Sequence, residues 1–181
     1  ALRLPAGGSI FEVGCGAGAN LWLFRLDGFA VGGLDYSEKL ISIMRDVFAE
    51  GTLRESLCDE AKNLPTKEKY DGVLANSVFS YFPDESYAEK MLEKTCGSIV
   101  LLDVHDAEKR TDFLSARRMI DSDYDERYKN LDKFFYQRSF FDEFAQKHDL
   151  SIVFADSTIE GYWNNPFIYH VYFHRKEESE R

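Results

Sequence analysis

The chain has 181 residues, 44% of them apolar and 30% charged, which suits one soluble, globular α/β domain with a proper core. Its formal charge of −10 argues against a DNA- or RNA-reading surface, which needs clustered cations to displace counterions. No apolar run reaches membrane-spanning length, so no membrane partner is expected.

The start, Ala1-Leu2-Arg3-Leu4-Pro5, has no secretory character. Cys15, Cys58 and Cys96 show neither paired nor zinc-ligand spacing, so no metal is expected and a reducing cytoplasm is. The first predicted strand is Ser9 to Val13, and a helix follows from about Ala19 to Leu26, stopping at Gly28. Between them runs Glu12-Val13-Gly14-Cys15-Gly16-Ala17-Gly18. Glycines at alternate positions let the backbone turn tightly and approach a ligand, and a helix starting there aims free N–H groups at it. The second predicted strand, from Ala30, ends at Asp35, seventeen residues past Gly18, where an acid can accept from both ribose hydroxyls.

Ser37 is placed to cap a helix running to about Glu50, with Leu40, Met44, Val47 and Phe48 facing the sheet. Strands are predicted at Thr52 to Cys58 and Tyr70 to Asn76, then a helix capped by Asp84. Ser98 to Val104 reads as an apolar run of the kind a parallel sheet buries on both faces. Ser139 and Asp142 have capping-box spacing for a helix to about His148. The last strands are Ser151 to Ala155 and Phe167 to His174; too few residues join them for a crossover helix, so they run antiparallel. Alternating strands and helices predict a doubly wound, mostly parallel, Rossmann-like seven-stranded sheet with its last strand antiparallel, in a single domain spanning 1–181. The connection 105–138 is long enough to be a substrate lid.

The glycine spacing leaves two ligands open, because Ala19 is a tolerated third position for a dinucleotide loop. Glu12 favours the other ligand. Its carboxylate would repel a pyrophosphate and welcome an ammonium. S-adenosylmethionine carries an ammonium, a sulfonium and a ribose, and no phosphate.

At these residues the chain resembles the class I S-adenosylmethionine-dependent methyltransferases, of the type acting on small molecules. Their acid-x-Gly-x-Gly-x-Gly motif is met at Glu12, Gly14, Gly16 and Gly18, and their ribose acid at Asp35 in Leu34-Asp35-Tyr36-Ser37. Their adenine-framing acid-Ala before Leu-Pro is met at Glu60-Ala61-Lys62-Asn63-Leu64-Pro65, with Asp59 alongside. Their fourth strand runs into Pro-Asp, met by Tyr70 to Asn76 and on to Phe82-Pro83-Asp84. The resemblance implies that Glu12, Gly14, Cys15, Gly16, Gly18, Asp35, Tyr36, Ser37, Asp59, Glu60, Ala61, Asn76 and Ser77 hold S-adenosylmethionine, released as S-adenosylhomocysteine. The family usually carries helices ahead of the first strand, so a segment before this chain's start is expected to be missing.

Ligands of such sheets bind beyond the carboxyl ends of the strands. That rule selects Ser80, Tyr81, Tyr162, Trp163 and Asn164 for a small methyl acceptor, and His105 as general base. Expected chemistry is in-line methyl transfer to oxygen or nitrogen. The alternatives are an NAD-dependent oxidoreductase using the same loop, and a cofactor-binding partner subunit without catalysis.

Overall fold

A computed structural model describes residues 4–64, 70–95 and 97–176. Ala1 to Arg3, Pro65 of the adenine-framing motif and Cys96 lie outside the described residues. Strands β1 (Ser9–Val13), β2 (Ala30–Asp35), β3 (Leu53–Cys58), β4 (Gly72–Asn76), β5 (Ser98–His105), β6 (Leu150–Ala155) and β7 (Ile168–Arg175) form one sheet in the order β3-β2-β1-β4-β5-β7-β6. Pairs among β1 to β5 are parallel, and β7 runs antiparallel between β5 and β6. The connection from β6 to β7 holds no crossover helix, so the reversal follows from chain length alone.

Helices α1 (Ala19–Leu26), α2 (Glu38–Val47), α3 (Glu85–Leu92), α4 (Arg110–Ile120), α5 (Tyr124–Arg127) and α6 (Arg138–Lys147) complete the fold. Gly28 ends α1 with φ +87, and Asp84 caps α3 by accepting from Tyr87 N at 2.8 Å. Ser37 Oγ accepts from Leu40 N at 3.4 Å and caps α2. That helix buries Ile41, Met44 and Phe48, whereas Leu40 and Val47, predicted to face the sheet, are exposed. The stripe is displaced because Ile41 and Met44, three apart, point to the sheet together. The predicted capping box at Ser139 and Asp142 does not form: the helix starts at Arg138 behind Gln137, so Ser139 already lies inside the first turn. Tyr136 fixes that start, its N–H bonded to His105 O at 2.8 Å.

Two apolar clusters hold the sheet. The smaller joins Cys15, Leu21, Val31, Ile41, Met44 and Phe48 under α1 and α2. The larger packs α3 and α6 residues such as Met91, Phe141 and Phe144 against Phe11, Val73, Tyr169 and Phe173. β5 carries one residue more than β7 between Leu101 and Val104, a bulge at which Asp103 takes φ +58. The run read as uniformly apolar therefore contains an acid exactly where the strand must bend out of register.

Candidate active site

The loop after β1 is wired to the end of β2. Gly14 N and Cys15 N donate to Leu34 O at 2.8 and 3.0 Å, and Gly16 N donates to Asp35 Oδ2 at 2.9 Å. Asp35 Oδ1 accepts from Ser37 N at 2.9 Å. Each carboxylate oxygen has a second lone pair, so capacity for two further donors remains. Gly14 and Gly16 both have positive φ, +71 and +53, but for different surroundings. A Cβ on Gly14 would sit 2.4 Å from Val78 Cγ2, so the strand-4 loop itself demands glycine there. A Cβ on Gly16 would meet nothing closer than Leu40 at 4.0 Å. Gly16 therefore faces open space, the face a ligand would cover.

Glu12 is buried, with Oε1 accepting from Asn20 Nδ2 at 2.7 Å and Oε2 without a hydrogen-bond partner among the described residues. Burial pushes its pKa up to about 7, the Asn20 hydrogen bond opposes the rise, and the charge of Asp35 adds to it. An orphaned buried acceptor is costly unless a donor arrives, and a cationic donor suits a carboxylate best. The donor set thus fits the ammonium and ribose ends of S-adenosylmethionine: a buried acid wanting a cation, an open glycine face, and a second acid with free lone pairs. Cys15 lies behind this loop; burial, then the charges of Glu12 and Asp35, push its thiol up to about 12, so it is a packing group rather than a nucleophile.

The residues expected to frame an adenine lie nearby and are more open. Asp59 N donates to Asp35 O at 3.2 Å. The Asp59 carboxylate accepts from Asn63 and Glu60 N, contacts that hold it below the usual range. Glu60 is exposed and pairs with Lys62, while Ala61 starts a single 3-10 turn. Tyr36 is 82% exposed and projects from the rim.

A second group gathers at the ends of β4 and β5. Asn76 ends β4, and Ser77 follows it with φ +58, its N–H bonded to Leu102 O at 3.0 Å. Ser77 Oγ donates to Asp103 Oδ2 at 2.8 Å, and the Tyr162 hydroxyl donates to the same oxygen. Asn164 Nδ2 donates to the Tyr162 oxygen at 3.2 Å, and Arg117 Nη2 donates to Asn164 Oδ1 at 3.3 Å. The Arg117 guanidinium lies 3.9 Å from the Trp163 ring centroid. Tyr162, Trp163 and Asn164 are thus joined to the strand-4 loop through Asp103, and to α4 through Arg117. Neither Asp103 nor Arg117 was singled out from the sequence. The signal for Asp103 was present, a charge inside an apolar strand; nothing local marked Arg117.

The connection 105–138 folds back over the strand ends. Phe134 N donates to Ser80 O at 2.8 Å, and Lys133 Nζ reaches Ser80 Oγ at 3.3 Å and the Tyr81 ring at 4.2 Å. Ser80 is buried beneath it and Tyr81 is exposed. Within the connection opens a cavity of about 430 Å³ bordered by Phe113, Phe135, Tyr124, Tyr128, Arg110 and Lys133. His105 stands behind that aromatic wall, its ring edge-on to Phe113 at 5.0 Å and Phe135 at 5.4 Å. Only 2% of it is exposed, and among the described residues neither ring nitrogen has a hydrogen-bond partner. Burial, then the charge of Lys133, pushes its pKa down to about 4, so the ring is neutral at pH 7.

A methyltransferase-domain family model matches residues 10–98, the stretch containing the glycine loop, Asp35 and β4. Solved structures agree on the fold. Magnesium protoporphyrin IX methyltransferase of Synechocystis PCC 6803, with bound SAM, is 17% identical, with TM-score 0.65 over 96% of this chain and 72% of that one. The plantazolicin methyltransferase BpumL, in complex with a desmethyl analogue and SAH, is 18% identical, with TM-score 0.68 over 94% and 77%. A putative methyltransferase complexed with the Haloferax volcanii Trm112 activator is 16% identical, with TM-score 0.68 over 97% and 86%. No curated protein matches by sequence. With that family match covering the loop and both acids, and a fold shared with solved S-adenosylmethionine-dependent methyltransferases, the chain carries a methyltransferase domain over residues 10–98.

Proposed function

We propose that the chain transfers a methyl group from S-adenosylmethionine to oxygen or nitrogen of a small molecule. The observation that carries this reading is the partnerless, buried Oε2 of Glu12 beside a loop whose central glycine faces open space. In this reading Glu12 receives the ammonium, Asp35 the ribose hydroxyls, and the backbone from Gly14 to Gly18 lines the cofactor, with Cys15 packed behind it. Tyr36, Ser37, Asp59, Glu60 and Ala61 frame the adenosine end, and Asn76 and Ser77 the methionine end. The cofactor supplies a sulfonium methyl already activated for displacement. The protein's contribution is then alignment and exclusion of water, which supply roughly 7–11 kcal/mol of the barrier.

The acceptor would enter under the 105–138 connection, bounded by Ser80, Tyr81, Tyr162, Trp163 and Asn164. Lys133, which borders the cavity of about 430 Å³ inside that connection, also touches Ser80 and Tyr81, and a cavity of this size suits a small molecule. The charge of −10 supports the same class over a nucleic acid. His105 is neutral and would act on an acceptor only if the Phe113 and Phe135 rings withdraw. The free thiols of Cys15 and Cys58 support a cytoplasmic setting. Among the described residues no helix is long and apolar enough to cross a membrane.

Asp35→Ala removes the ribose acceptor together with the bonds to Gly16 N and Ser37 N. It will weaken S-adenosylhomocysteine binding by about 1–3 kcal/mol in calorimetry. Unchanged affinity would place the ribose elsewhere. Methyl transfer from labelled cofactor to a pool of small metabolites tests the activity, and a chain that binds cofactor but never transfers would be a partner subunit.

A further inference from the structure

We infer that Asp103 is the proton acceptor for the methyl acceptor's nucleophilic atom, and that the site consequently takes hydroxyl or amine acceptors and rejects carboxylates. The inference rests on the preceding assignment of the acceptor to the ends of β4 and β5. Asp103 and Ser77 are both non-glycine residues held at φ +58, on neighbouring strand ends, and bonded side chain to side chain. A conformation of that kind persists only where its surroundings hold it, and such places cluster at functional sites. Here the surroundings are specific. The Asp103 N–H donates to His170 Nδ1 at 3.2 Å, which fixes the bulge. Its Oδ2 takes both the Ser77 and the Tyr162 hydroxyls. Two donors on one oxygen set the carboxylate plane and leave Oδ1 without a partner among the described residues. The residue is only 7% exposed, so little bulk solvent competes with an acceptor there.

The ionisable groups facing Asp103 are His105 on its own strand, His170 on β7, Tyr162 on the β6–β7 connection and, one side chain further, Arg117 on α4. Among the described residues the carboxylate is hydrogen-bonded but meets no lysine or arginine directly. During transfer the acceptor's O–H or N–H proton moves to Oδ1 as the new carbon–oxygen or carbon–nitrogen bond forms. The carbon–sulfur bond breaks with its electron pair staying on sulfur, and total charge is unchanged. A carboxylate acceptor has no proton to give at neutral pH and would meet Asp103 as a like charge.

Asp103→Asn separates charge from shape, because asparagine keeps the size and also tolerates positive φ. The full chain and this variant are assayed with S-adenosylmethionine and three probes: catechol, aniline and benzoate. The wild type is expected to methylate catechol or aniline and not benzoate. In the variant kcat/KM will fall on the order of 100-fold or more, the scale of a lost general base. Calorimetry will show S-adenosylhomocysteine still binding the variant, and catechol no longer preferred over benzoate. Methylation of benzoate, transfer to none of the three probes while S-adenosylhomocysteine binds, or a variant with the wild-type kcat/KM for catechol and aniline would overturn the inference. Failure of S-adenosylhomocysteine to bind the wild type would remove the cofactor reading beneath it, and the inference too.

Discussion

Gly14→Ala will unfold the protein about 4–20 °C earlier than the wild type and abolish measurable cofactor binding. Two costs add. Alanine at φ +71 takes a left-handed conformation costing roughly 1–2 kcal/mol. Its Cβ would also lie 2.4 Å from Val78 Cγ2 and 3.1 Å from Cγ1, and forcing a methyl into such contact typically costs ~1–3 kcal/mol. At roughly 2–4 °C per kcal/mol for a domain of this size, the sum gives the stated range. Val78→Ala in the same chain will recover the packing share and not the backbone share. A double-mutant cycle by thermal unfolding measures the split. If the single variant melts like the wild type, the loop after β4 does not press on the glycine loop.

Glu12→Gln will stabilise the empty protein above neutral pH while weakening its hold on S-adenosylhomocysteine. The folded-state pKa of Glu12 is about 7, against a model-peptide value of 4.5. The folded state keeps a proton that the unfolded chain loses first. The stability this proton confers is present below pH 4.5 and lost as pH rises through about 7. The loss is on the order of 3 kcal/mol from a shift of this size. The glutamine variant lacks that ionisation, so its thermal midpoint will not decline over the window. Cofactor binding has the opposite sign, because an ammonium prefers the ionised acid. Wild-type affinity will be roughly tenfold weaker at pH 6 than at pH 8. The variant will lose that pH dependence and bind ~10–100-fold more weakly at pH 8, the scale of a hydrogen bond to a charged group. An affinity flat across this range would mean that Glu12 does not face the ammonium.

Features set within a few residues were legible in the sequence. Ser9–Val13, Ala19–Leu26 and the end of β2 at Asp35 fall where the apolar runs, glycines and caps put them. The residues proposed to hold the cofactor, Glu12, Gly16 and Asp35, lie on one βαβ unit, so their spacing alone could suggest them. The acceptor side depends on long-range packing. Asp103 meets Tyr162 across 59 residues and His170 across 67, and the bulge that turns Asp103 toward them arises from pairing with β7. The surroundings of His105 were equally hidden. Its position after β5 suggested an open mouth, but Phe113 and Phe135 come from the returning connection and close over it. The capping box at Ser139 misled for a related reason: the bond from Tyr136 N to His105 O sets where α6 begins, and local propensity does not.

The central claim is that two acids clasp opposite ends of a phosphate-free sulfur nucleoside around the glycine loop. Parallel calorimetric titrations of the ligand-stripped chain at pH 8, with S-adenosylhomocysteine and with NAD, test it most directly. The account predicts saturable one-site heat with S-adenosylhomocysteine and none with NAD. Silence with S-adenosylhomocysteine, or saturable binding of NAD, would contradict it.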